Sequence, residues 1–188
     1  MQKELYYATG NAGKMDEVKV FFAQAVPDIV VKQFAVDIEE IQTLDQKAIA
    51  IDKVQKAWQQ LKKPVLVDDS GIFFEDYPQF PGTLSKFVYK TLGFEGIFKL
   101  VNENARAAFI LQLAYTDGEI IKTFEGRCDG VLVHPVNVAT YPQMPFKTIF
   151  KPDGSDLTYA ELYKNPAEFA KFAFRKRALE KFLDWYKA

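Results

Sequence analysis

A single cysteine, Cys128, stands among 188 residues, so no internal disulfide framework exists. The lone thiol fits a reducing compartment, and the cytoplasm is the expected location. Histidine is as scarce. His134 has no spaced partner, and no Cys-Xaa-Xaa-Cys pair occurs, so a zinc site is not expected and His134 reads as structural. No apolar run approaches the roughly 20 residues of a membrane span. Residues 1–7 lack the apolar stretch of a signal peptide. Excess charge is missing too. A formal net charge of −1 gives a weak long-range field, which argues against a general surface for nucleic acid. Neither nucleic acid nor a membrane is therefore an expected partner. Nucleophile-elbow and dinucleotide glycine patterns are also absent.

Aromatic residues, by contrast, are plentiful. Phe occurs 17 times and hydrophobic residues make up 48%, ample material for a core. The length fits one domain over residues 1–188, or two lobes sharing one core. Short apolar runs predict strands at 5–8, 30–36, 64–67 and 130–134, and a hairpin from 105–115 and 120–128. Apolar spacing at the helical period predicts helices over 14–25, 46–61, 84–92, 96–102 and 166–186. Residues 136–145 read as an irregular loop. Alternating strands and helices argue for an α/β fold.

Several groups of residues could carry chemistry. In Thr9-Gly10-Asn11-Ala12-Gly13-Lys14 a predicted strand feeds a tight turn that opens a helix. Free N–H groups at a helix start suit phosphate, and Lys14 adds positive charge. The spacing is not that of a P-loop. Read locally, the segment is also an ordinary strand-to-helix turn with a solvated Lys14.

Asp68-Asp69-Ser70-Gly71 follows an apolar strand, at the end where open α/β sheets bind ligands. Adjacent carboxylates alternate faces along an extended chain, so one could bind Mg2+ or activate water while the other holds the loop. An Asx turn or helix cap is the plainer account. Glu39 and Glu40 could complete a metal site with Asp69, or stand as solvated loop acids. Lys53 interrupts the apolar pattern of its helix, and Lys86 follows the Pro81-Gly82 turn. Scattered lysines of this kind are usually solvent-exposed.

Taken together these segments resemble the inosine triphosphate pyrophosphatase family, house-cleaning enzymes that hydrolyse non-standard purine nucleotides such as ITP and XTP. The Thr9–Lys14 segment with Glu17, then residues 65–71, then Phe80-Pro81-Gly82 with Lys86, are similar to its first-half motifs in order. Residues 124–130, 150–154 and 158–162 resemble its second half. The resemblance implies an elongated mixed sheet with flanking helices, two lobes around a central cleft, and a homodimer. It implies cleavage of a nucleoside triphosphate to the monophosphate and pyrophosphate with Mg2+ as cofactor. By position, Lys14 and Asn11 would hold the triphosphate, with Thr9 and Ser70 among the substrate contacts. Glu40 and Asp69 would hold the metal, and Asp69, or Asp68 beside it, would take the proton from water. Lys53 and Lys86 would line the phosphate side, and Arg175 would help to hold the base.

The departures fall on the base side. The family's aromatic-Gly-aromatic-Asp-Pro loop is replaced over residues 143–150, its Ser-His-Arg reads Ala173-Phe174-Arg175, and a preceding lysine reads Phe169. Phe174, Phe146 and Met144 would offer stacking and apolar surface in place of hydrogen-bonding groups. An apolar pocket discriminates weakly where a hydrogen-bonding one discriminates strongly. The expectation is pyrophosphate release with an altered base preference. The alternatives are a modified pyrimidine nucleotide as substrate, or a nucleotide-binding relative without catalysis that serves as a sensor or partner protein.

Overall fold

The structure is a computed structural model that describes residues 3–135 and 144–188. Residues 136–143, which hold most of the expected irregular loop, lie outside the described residues.

Strand β1 (Lys3–Ala8) starts exposed, buries Leu5, Tyr7 and Ala8, and ends at the Thr9-Gly10 turn. Asn11 then caps helix α1 (Ala12–Ala25): its side-chain oxygen accepts from the Lys14 backbone N–H at 3.2 Å. Met15, Val18 and Phe22 form the buried stripe of α1. Strand β2 is Ile29–Phe34. Helix α2 (Gln46–Leu61) begins where Asp45 accepts from the Ala48 N–H at 3.1 Å, and stops where Lys62 turns left-handed. Then follow β3 (Val65–Phe74), α3 (Ser85–Leu100), β4 (Arg106–Thr116), β5 (Ile121–Leu132) and β6 (Phe150–Pro152). The chain ends with α4 (Tyr159–Leu162), α5 (Pro166–Phe172) and α6 (Phe174–Lys187).

The six strands form a mixed sheet in the order β2-β1-β3-β4-β5-β6, with β1 parallel to β2 and β3 and β6 antiparallel to β5. With its flanking helices this is the expected α/β class. The chain divides into two compact units, one of residues 1–69, 111–126 and 175–188, the other of residues 70–110 and 127–174.

The first unit packs Ala50, Val54 and Ala57 of α2 against Ala8, Val65, Val67 and Ala114 of the sheet. Its α6 sets the Phe182 ring 5.4 Å from Tyr115. The second unit has an aromatic core. Phe109 lies 5.0 Å from Phe150 and 5.1 Å from Phe174, the latter stacked at 6°. Gly71 sits where a Cβ would come within 2.2 Å of the Gly82 carbonyl oxygen, so the two chain segments approach only because residue 71 has no side chain.

Several expectations are corrected. The strand predicted over 64–67 runs on as β3 through the acid pair to Phe74, because Ile72 and Phe74 bury in turn. The segment 130–134 is not a separate strand. Gly130 lets β6 pass against β5, since a Cβ there would meet the Lys151 carbonyl oxygen at 2.3 Å. Helices predicted over 84–92 and 96–102 join in α3, with a kink where Gly93 takes φ 61°. The single helix predicted over 166–186 breaks at Ala173, where ψ is 104°. The buried Tyr159 hydroxyl donates to the Phe172 carbonyl at 2.6 Å and satisfies the helix end there.

Candidate active site

The first unit gathers charge around the end of its part of β3. Asp68 is buried, and each of its oxygens is engaged. Oδ2 accepts from the Tyr7 hydroxyl and from Arg175 Nε at 2.8 Å, and Oδ1 pairs with the Lys14 ammonium. Arg175, in the first turn of α6, also pairs through Nη1 with Glu17 of α1. Burial opposes ionisation of Asp68. The Lys14 and Arg175 charges, with hydrogen bonds from Lys14 and Tyr7, outweigh it and hold the carboxyl well below the usual range. Burial, reinforced by the Asp68 charge, pushes the Tyr7 hydroxyl well up, so it stays a neutral donor.

Asp69, one residue on, is treated differently. Its Oδ2 is buried with no hydrogen-bond partner. Burial raises its pKa, Lys53 and Lys14 pull it down, and Glu40 and Asp68 push it up again; the net shift is upward. Lys53 reaches from α2 with only 13% of its side chain exposed. It pairs with Glu40 at 2.6 Å and donates to the Asp68 carbonyl at 3.1 Å. That explains why a lysine interrupts the apolar stripe of α2. Glu40 lies on the connection between β2 and α2, which Val36 and Ile38 anchor on the core while Lys56 donates to the Glu39 carbonyl at 2.8 Å.

At the start of α1, Thr9 Oγ1 accepts from the Asn11 N–H at 3.1 Å, which fixes the turn. No residue in the first turn of α1 is acidic. Free N–H groups at a helix start, with Lys14 beside them, form a setting suited to an anion.

Of the residues singled out by sequence, Thr9, Asn11, Lys14, Glu40, Lys53, Asp68, Asp69 and Arg175 belong to this unit. Ser70, Lys86 and Phe174 belong to the other. Lys86 is exposed on the first turn of α3. Phe174 is buried, its ring within the Phe109 stack. Phe146 and Lys147, in the 3-10 turn Pro145–Thr148, are buried too, and the Lys147 ammonium lies 4.2 Å from the Tyr163 ring centre. Tyr7 escaped the sequence reading. Its one signal was a phenol at a buried strand position, where the hydroxyl needs a partner.

Among the described residues no three His, Cys, Asp or Glu side chains cluster as a metal cage. Asp69 and Glu40 nonetheless supply hard oxygen donors. The orphaned Asp69 oxygen suits a cation that takes one or two carboxylates and completes its shell with water and substrate phosphate, as Mg2+ does.

The Ham1 family model matches residues 5–185. The dITP/XTP pyrophosphatase of Thermococcus kodakarensis is 36% identical over 189 residues, 97% of each chain. The dITP/XTP pyrophosphatase of Methanopyrus kandleri is 36% identical over 98% of this chain and 96% of its own. The Ham1 protein of Staphylococcus aureus has the same fold, with a TM-score of 0.77 at 24% identity over 98% of both chains.

Proposed function

The chain belongs to the Ham1 family, and we propose that it hydrolyses non-standard nucleoside triphosphates such as ITP and XTP to the monophosphate and pyrophosphate. Relatives named for that activity match nearly its whole length, which supports the reaction class. One structural observation carries the site: a buried, unpartnered carboxylate oxygen on Asp69 in a setting shaped by the Lys14 and Lys53 charges.

The two acids divide the work. Asp69, whose buried Oδ2 has no hydrogen-bond partner, is the group that takes the proton from the attacking water. Asp68, held ionised by Lys14 and Arg175, keeps the lysine in place. Lys14, Lys53 and the start of α1, with Thr9 and Asn11, receive phosphate oxygens and stabilise charge that grows on the leaving pyrophosphate. Ser70 and Lys86 are further substrate contacts. Asp69 and Glu40 would hold a divalent cation, Mg2+ in our reading, which supplies Lewis acidity toward phosphate and water. On the base side the family's hydrogen-bonding groups are replaced, among others by the buried Phe174 and Phe146, so discrimination among purines is weak. The protein acts as a homodimer in the cytoplasm.

The test is pyrophosphate release from ITP, XTP, dUTP, GTP and ATP, with and without Mg2+. Release from ITP or XTP that needs the metal is expected. Binding of nucleotides with no release from any would instead select the sensor reading, and best release from dUTP the pyrimidine one. Light scattering at twice the mass of one chain checks the dimer.

A further inference from the structure

Arg175 stands at the position that the sequence resemblance gives to base recognition, yet its guanidinium pairs with two carboxylates of this unit. The guanidinium is 2% exposed, with Nε on Asp68 Oδ2 at 2.8 Å and Nη1 on Glu17. Asp68 passes the link on to Lys14 through its other oxygen. Lys14 and Glu17 are three residues apart on α1 and therefore share a helix face. Three ion pairs thus run from Lys14 to Asp68, Asp68 to Arg175 and Arg175 to Glu17, and the α1 backbone leads from Glu17 back to Lys14.

A planar guanidinium can hold two carboxylates at once in fixed directions, which a lysine ammonium cannot do in the same geometry. The charge count explains why this matters. Asp68 would grip an unshared Lys14 tightly. With Arg175 and the Tyr7 hydroxyl also on its oxygens, Asp68 divides its attraction among three donors. Lys14 is then aligned but still has N–H donors to give to an anion. We infer that Arg175 is a positioning residue of the phosphate side, acting through Asp68 and Glu17 on Lys14, rather than a reader of the base. This rests on the reading of Lys14 as a phosphate ligand given above.

A base-free ligand separates the two roles. Inorganic triphosphate is titrated calorimetrically into the parent, Arg175→Gln, Lys14→Ala and the double variant, and kcat/KM is measured for ITP, GTP and ATP. Arg175→Gln is expected to weaken triphosphate binding by about tenfold, the scale of one aligned charged contact. It should lower kcat/KM for all three nucleotides by a common factor, leaving their ratios unchanged within about twofold. On the Lys14→Ala background it should cost less than about twofold in triphosphate affinity, because residues that act through one another are not additive. Should Arg175→Gln fail to fold, Glu17→Gln carries the same test by cutting the tether to α1 while leaving the Asp68 pair. Unchanged triphosphate affinity with altered nucleotide ratios overturns the inference. So does an equal loss on both backgrounds, which marks a merely structural role, and so does a parent that binds no triphosphate. A parent that binds triphosphate yet releases no pyrophosphate from any nucleotide refutes the proposed reaction and leaves this inference standing.

Discussion

Around Asp68 the first unit buries charge, with two cations, two carboxylates and a phenol within one hydrogen-bonded network. Around Phe109 the second unit buries rings, with Phe150, Tyr159 and Phe174 each within 5.5 Å between centres. The two centres are comparably enclosed but differ in what they can do to a ligand. Buried, compensated charge has fixed direction and acts at full strength on an anion brought beside it. Stacked rings offer area without direction, so they add stability and little selectivity. The lesson is that one chain can bury directed charge in one unit and undirected ring area in the other.

The largest expected effects compare the two centres directly. Asp68→Asn strips the anion from the buried Arg175 and the half-buried Lys14 and should cost about 3–5 kcal/mol of stability. Phe174→Ala empties part of the ring stack and should cost about 3–5 kcal/mol as well. Their pH dependence tells them apart. Asp68 has a folded-state pKa below its ordinary 3.8, so its contribution is present above that value and fades as pH falls toward the folded pKa. Urea denaturation of parent and Asp68→Asn should therefore converge as pH drops below 3.8, while the Phe174→Ala gap stays constant. A pH-independent Asp68 deficit would mean that charge is not what the first unit buries.

Asp69→Asn comes next, with a loss of at least about 10²-fold in pyrophosphate release, the scale of general-base catalysis. The sign for stability is opposite to that of its neighbour. A pKa raised by folding is a contribution present below the unfolded pKa and lost as pH rises through the folded one, so at neutral pH the buried charge is a burden. The metal-free Asn variant should melt above the parent in calorimetry. A variant that is active, or one that melts lower, removes Asp69 from its role.

Much of this was legible beforehand. Helix α2 matches its predicted residues 46–61, because an Asp45 cap and a clean apolar stripe leave little choice. Residues 9–14, 40, 53, 68 and 69 lie in one unit, a grouping that the resemblance implied and that their local sequence left open. The break at Ala173 was not legible, because Ala favours helix and the cause is a hydroxyl from Tyr159, remote in sequence. The partners of Arg175 were hidden for the same reason: Glu17 and Asp68 are separated from it by 158 and 107 positions. Strand β6 has only three residues, too short a run to read as a strand.

Lys14→Ala should raise KM and lower kcat together, with a loss of about tenfold or more in kcat/KM, the value of one charged hydrogen bond. Steady-state kinetics with the best nucleotide check it, and parent-like constants would return Lys14 to the role of a solvated side chain. Smallest of all should be the ratio of kcat/KM for ITP over GTP, below about tenfold, or about 1.4 kcal/mol. A strong preference for ITP or XTP would show that groups outside the aromatic centre read the base.

The start of α1 has one more consequence. Asn11 caps the helix through its oxygen, as an aspartate would, yet brings no charge, and the first turn contains no acid. A helix begun this way draws no negative charge from its own first turn, where its dipole favours one. Seen so, a bound triphosphate is not a guest on a finished scaffold. It would be the missing terminal group of the helix, and part of its binding energy would be folding energy deferred until the substrate arrives.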